Sequence, residues 1–258
     1  MEDPITILFD NCINSLSDSL QGTIKSQEVV WGDNVQEVKI VGYERRPLPD
    51  AEQLWKRQQI VCLPTVGRIA KEGKIELYTY NELQHEAWKR PGSFPPNLLG
   101  NLFAGISFKR VDAAVERSFF SQMELSEYIL KKQVIEFCNW LLNSKVEDLA
   151  GRQWAQERYP AFLLNNLRGV QRFRDLCNGL AEKQYPDAFH LWTAEVNEIE
   201  FFLTTDQKFI RVMTETKRLH LPCRPLSPSD LLDILEIHER DSFKYETNQF
   251  YNVFGRPE

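Results

Sequence analysis

Three aspartates stand where an apolar, strand-like run meets a helix-like one. Asp10 follows Ile5-Thr-Ile-Leu-Phe9 and precedes an amphipathic stretch from Cys12 to Ile24. Asp206 follows Glu200-Phe-Phe-Leu-Thr204, an apolar run of the kind that forms a buried parallel strand, and opens Gln207-Lys-Phe-Ile-Arg-Val-Met213. Asp187 belongs to the first turn of a helix, marked by Pro186 at its start and by Asp187, His190, Leu191 and Ala194 at helical spacing. Open α/β sheets place their chemistry at strand carboxyl ends. Carboxylates gathered there tolerate one another when a cation offsets their repulsion, and oxygen donors suit a hard cation. The three therefore point to a metal site. The alternative is that Asp10 and Asp206 are helix caps, with His190 a hydrogen-bonded packing residue and Trp192 core.

Such residues need a mixed α/β core to bring them together. Lys74-Ile-Glu-Leu-Tyr-Thr-Tyr80 alternates as a strand and Asn81–Trp88 reads as the helix behind it. Glu28–Tyr43 reads as a hairpin of two short β runs turning at Gly32-Asp-Asn34. Asp50–Ala70 reads as a helix interrupted near Pro64 and closed by Lys71-Glu-Gly73. Arg90-Pro-Gly-Ser-Phe-Pro-Pro-Asn97 is a loop where the core is left. Ser121-Gln-Met-Glu124 is a capping box opening a long helix with Leu125, Tyr128, Ile129, Ile135, Cys138 and Leu142 on its apolar face. A second helix spans about Phe162 to Lys183, His220–Arg224 reads as a last strand, and Ser227-Pro-Ser-Asp230 as a helix start. The expected fold is α/β, a three-layer sandwich around a mostly parallel sheet. It forms a single domain over 1–258, with its core in 1–90 and 160–240 and a helical insertion at about 91–159 that selects substrate or partner. The aromatic tail Phe243–Phe254 is expected to pack over the core rather than to stack on bases.

A hydrophobic strand ending in Asp10, then Asp187-Ala-Phe-His-Leu-Trp-Thr-Ala194, then Phe202-Leu-Thr-Thr-Asp206 with Phe209 beyond, resembles the PIN-like domain, a metal-dependent nuclease fold. The resemblance is most specific in the C-terminal half. It implies that Asp10, Asp187 and Asp206 bind Mg²⁺ or Mn²⁺ and cleave single-stranded RNA, and it calls for a fourth acidic residue on the helix after the second strand. Glu82 and Glu86 both lie on one face of that helix. The family's gap between strand end and glutamate favours Glu86 and leaves Glu82 open. Thr204 or Thr205 would orient a carboxylate or metal-bound water, with Asn11 beside Asp10. The family often carries Asn two residues after its first Asp, where this chain has Cys12. Family members are commonly dimeric and are sometimes held by an inhibitory antitoxin, so the resemblance implies RNA, a homodimer partner and an antitoxin as the partners to consider. The chemistry implied is metal-assisted phosphodiester hydrolysis, with a non-catalytic PIN-like interaction module as the alternative. An aspartyl phosphatase wants Asp two residues after its nucleophile, and Cys12 stands there.

Composition bounds these readings. A chain of 258 residues, 42% hydrophobic, can bury a full core. Net charge −6 weighs against nucleic-acid binding, although bound cations invert the charge of an acidic site. Basic residues group as Lys109-Arg110, Lys131-Lys132, Arg168 with Arg172 and Arg174, Lys208 with Arg211, and Lys217-Arg218. They offer either a path for a phosphate backbone or a solvated face, with Arg168 and Arg172 expected on one helix face. Five scattered cysteines and four dispersed histidines give neither a disulfide framework nor a zinc pattern. No apolar run approaches the roughly 20 residues needed to span a bilayer, and the first is too short for a signal-peptide core. The expectation is a cytosolic protein without membrane partners.

Overall fold

The computed structural model describes residues 4–88, 99–216 and 219–257. Its strands are β1 (Ile5–Phe9), β2 (Leu20–Trp31), β3 (Asn34–Arg45), β4 (Ile75–Thr79), β5 (Lys109–Arg110), β6 (Phe201–Leu203), β7 (Arg224–Leu226) and β8 (Phe250–Tyr251). Its helices are α1 (Asn11–Leu16), α2 (Leu54–Lys71), α3 (Asn81–Trp88), α4 (Leu125–Tyr128), α5 (Lys131–Asn143), α6 (Val146–Ala150), α7 (Gln153–Arg158), α8 (Ala161–Arg168), α9 (Gln171–Cys177), α10 (Tyr185–Val196), α11 (Gln207–Arg211) and α12 (Pro228–Ile234). Among the described residues, no helix is long and apolar enough to cross a membrane. The expected loop over Arg90–Asn97 and the Lys217-Arg218 pair lie outside the described residues.

Five strands form one sheet in the order β5-β4-β1-β6-β7, and every pairing in it is parallel. Parallel strands require crossover helices and are buried on both faces. That explains why β1 is apolar but for Thr6, with Ile7 and Leu8 fully buried. The fold is α/β with the make-up of a three-layer sandwich, its central sheet wholly parallel. Pro225 lies in β7, an edge strand, where a missing backbone N–H is tolerated. The centre of the core is α10, whose residues from Ala188 to Ala194 are all buried. Trp192 stacks on Phe173 at 5.4 Å between centroids, and Phe189 meets both edge to face.

The chain makes two compact units. The first holds the parallel sheet and residues 4–12, 72–88, 107–216 and 219–227. The helices expected as an insertion, α4 to α7, belong to this unit. The second holds residues 13–71, 99–106 and 228–257, with an antiparallel sheet in the order β2-β3-β8. Its small core gathers Leu20, Tyr43, Tyr245 and Tyr251, so the aromatic tail packs through β8 against β3. At Gly42 a Cβ would collide with the Phe250 ring and the Tyr251 carbonyl, and only glycine lets β8 dock so closely.

Several elements differ from their sequence expectation. The amphipathic stretch from Cys12 is helical only to Leu16. The Ser17 hydroxyl donates to the Asn14 carbonyl at 2.7 Å and ends the turn, and Leu20–Ile24 is claimed by the hairpin, whose strands are twelve residues each rather than short. Helix α2 runs unbroken through Pro64. The long helix after Glu124 is two, α4 and α5, parted at Leu130, whose backbone is extended, and the Tyr128 carbonyl at the end of α4 accepts from the Arg117 guanidinium at 2.8 Å. The helix expected from 162 to 183 breaks at Gly169, leaving Arg168 on α8 and Arg172 on α9 rather than on one face. The strand expected from His220, the last of the parallel sheet, begins at Arg224.

Candidate functional site

Strand order reverses beside β1: the chain steps outward through β4 to β5, then returns to the other side of β1 with β6 and β7. The crevice at the carboxyl ends of strands flanking such a reversal is where open α/β sheets bind ligands. Asp10 leaves β1 there and Thr204 leaves β6, with Phe9 and Leu203 in register. The Asp10 N–H donates to the Leu203 carbonyl at 3.1 Å. The Thr204 hydroxyl donates to Asp10 Oδ2 at 2.6 Å, and both residues are buried.

Cys12 completes this knot. Its thiol donates to Asp10 Oδ2 at 2.8 Å and its backbone N–H to Asp10 Oδ1 at 3.3 Å. The Thr205 N–H and hydroxyl both reach Cys12 Sγ at 3.1 Å. Burial, reinforced by the Asp10 charge, pushes the Cys12 thiol well above its ordinary range and keeps it protonated as a donor. Asn11 lies next to Asp10 at the start of α1, half-buried. The sequence marked Cys12 only as a departure from a pattern; its spacing two residues after Asp10 was the available signal.

Asp206 caps α11, accepting from the Phe209 N–H at 2.8 Å. Asp187 projects from the first turn of α10. Burial first, then the charges of Asp10 and Asp206, raise its carboxyl to about 7, against the opposing pull of His190 and Lys131. Three aspartates far apart in sequence thus share one electrostatic environment.

Glu82 and Glu86 part company. Glu82 is buried in a two-pronged ion pair with Arg117, Nε to Oε1 at 3.0 Å and Nη2 to Oε2 at 2.9 Å. The Arg117 guanidinium also lies 3.6 Å from the Tyr128 ring centroid. Glu86 is half-buried, with Oε1 3.6 Å from His190 Nε2. On the other side of that ring, His190 Nδ1 meets the hydroxyl of fully buried Tyr80 at 2.5 Å. Burial opposes a charged His190, yet Glu86 and then Asp10 and Asp187 outweigh it, and its pKa ends above the usual value. Tyr80 and Thr193 were not singled out in the sequence. The Thr193 oxygen accepts from the Ala114 N–H at 3.2 Å.

The basic residues divide as well. Arg168 donates to Asn165 Oδ1 and the Ala150 carbonyl. Arg172 grips Glu195 with two nitrogens at 2.7 and 2.5 Å and donates to the His220 carbonyl. These arginines tie elements together. Lys208 and Arg211 are exposed on α11, immediately after Asp206.

Family models, curated proteins and solved structures give no match to this chain. The reading of the site rests on its own geometry. Among the described residues, no three His, Cys, Asp or Glu side chains are arranged to hold a metal ion. Asp10 Oδ2 is turned to Thr204 and Cys12, Asp206 Oδ1 to its own helix, and Glu86 toward His190.

Proposed function

We propose that this chain is a metal-dependent nuclease acting on single-stranded RNA, with Asp10, Glu86, Asp187 and Asp206 as its acidic residues and a PIN-like fold as its scaffold. The observation that carries the reading is the meeting of Asp10, Asp187 and Asp206 at the sheet's reversal point, where burial first, and then the charges of Asp10 and Asp206, leave Asp187 holding a proton up to about pH 7. Such residual negative charge is what a bound cation relieves. The all-oxygen donor set fits Mg²⁺ or Mn²⁺ chemically, but the carboxylates must turn from their present hydrogen-bond partners to share an ion. When bound, such an ion activates a water and offsets charge on the scissile phosphate.

The chain's own residues have separate tasks. Thr204 and Cys12 fix the rotamer of Asp10, and the Phe209 N–H fixes Asp206. Asp187 keeps a proton on its carboxyl up to about pH 7 and releases it when positive charge arrives. Tyr80 holds the His190 ring, and His190 steadies Glu86. Lys208 and Arg211 beside Asp206 attract the phosphate backbone. Five free cysteines accord with a reducing, cytosolic setting.

A second reading, a non-catalytic interaction module, is favoured by the present lack of a ready three-ligand arrangement among the described residues. Calorimetric titration with Mn²⁺ or Mg²⁺, run beside cleavage of mixed-sequence single-stranded RNA by the wild type and Asp206→Asn, separates the two. Metal binding and cleavage by the wild type, both lost in the variant, are expected of the nuclease. A wild type that binds no metal and leaves the RNA intact sinks it in favour of the module.

A further inference from the structure

The hairpin of β2 and β3 leaves its outer part without cover in the monomer. From Ile24 to Lys39 every residue is exposed, including Ile24 at 53%, Val30 at 69%, Trp31 at 82% and Val35 at 61%. A two-stranded ribbon alone in water is marginally stable, and large exposed apolar side chains grouped on one element mark an interaction surface. β2 is the terminal strand of its sheet. Its register with β3 is unbroken over twelve pairs, and it contains neither proline nor bulge, two of the devices that keep an edge from pairing.

We propose that the open edge of β2 pairs antiparallel with the same edge of a second copy, with a two-fold axis at Gln27. The strand's own side chains select this partner and this register. Strands related by such an axis place residues of like facing opposite one another, so Ile24 meets the partner's Val30 and Ser26 meets the partner's Glu28. Within each hairpin Ile24 already pairs with Val41, and Val30 with Val35. The assembled six-stranded sheet then carries two continuous aliphatic rows across its four central strands, each of Val41, Ile24, the partner's Val30 and the partner's Val35.

Charge selects the same register. Glu28 and Glu37 are directly opposite in the monomer, an unfavourable like-charge pair, while Lys39 is opposite Ser26. In the dimer, Lys39 reaches over the small Ser26 to the partner's glutamate pair. A shift of two residues in one direction sets Glu28 against the partner's Glu28. In the other direction it sets Ile24 against the partner's Glu28. Neither alternative keeps the aliphatic rows.

Sedimentation equilibrium on the full chain tests this without reference to nuclease activity. The wild type is expected at twice the chain mass. The exposed double substitution Ile24→Glu with Val30→Glu is expected to run at single-chain mass with an unchanged circular dichroism spectrum. Under mild oxidation Gln27→Cys is expected to cross-link to its symmetry mate, whereas Val29→Cys, opposite the partner's Lys25, is not. A monomeric wild type, a dimer that survives the double substitution, or cross-linking of Val29→Cys as rapid as that of Gln27→Cys overturns the proposal.

Discussion

Replacing Asp187 by asparagine keeps the shape of the side chain and removes the charge that its surroundings resist. The carboxyl has an ordinary pKa of 3.8 and is raised to about 7 in the fold, roughly three units at about 1.4 kcal/mol each. The native state therefore binds more protons than the unfolded chain between these values, and stability falls as pH rises through that window. The contribution is fully present below the unfolded value and is lost once pH passes about 7. Integrating the linkage from about pH 5 to about pH 8.5 gives a loss of roughly 2–3 kcal/mol, which the Asp187→Asn variant cannot suffer because its amide does not titrate. Urea denaturation of both proteins in EDTA across that range reads the difference directly. The variant is expected to gain on the wild type up to about pH 7 and to level off above it, ending the more stable of the two. Parallel pH profiles would refute the raised Asp187 carboxyl, and with it the buried, acid-flanked setting on which the site is built.

Further outcomes follow from buried contacts. Arg117→Met leaves Glu82 buried without its ion-pair partner and is expected to cost about 3–5 kcal/mol, most of it recovered when Glu82→Leu is added; denaturation midpoints of the two variants decide the matter, and equal losses would contradict the pairing. Burial and Asp10 hold the Cys12 thiol well above its ordinary range, so iodoacetamide at about pH 8 is expected to label Cys12 slowly in the native protein and rapidly in denaturant. Peptide mapping that shows rapid native labelling of Cys12 would remove the thiol from its contact with Asp10.

The parts of the site that depend on neighbours in sequence were legible. Short apolar runs ending in Asp10 and Thr204 mark buried parallel strands, and Pro186 fixes the first turn that carries Asp187. The helix of Glu82 and Glu86 begins and ends where its sequence places it. What could not be read depends on residues that meet only in the fold. Glu82 and Glu86 are equivalent by spacing, and they are told apart by Arg117, 35 residues beyond Glu82, which takes one and leaves the other to His190. The same guanidinium takes the Tyr128 carbonyl just before the long helix parts at Leu130, although the apolar period continues through the break. Ile24 looked helical because it continues the apolar face of the stretch from Cys12, and cross-strand pairing with Val41 overrides that local pattern.

The position of β1 also dictates when the site can exist at all. Its two sheet neighbours are β4 and β6, and the hydrogen bond that seats Asp10 comes from Thr204, 194 residues further along. During synthesis the earliest strand is made long before the one that completes its pairing, and closing so long a loop is slow. Until Phe201–Leu203 has been translated, β1 is an apolar strand with one edge unfilled, a segment that chaperones would hold. A nascent chain interrupted before Thr204 already carries Asp10, Glu86 and Asp187 but lacks both the hydroxyl that seats Asp10 and the carboxylate of Asp206.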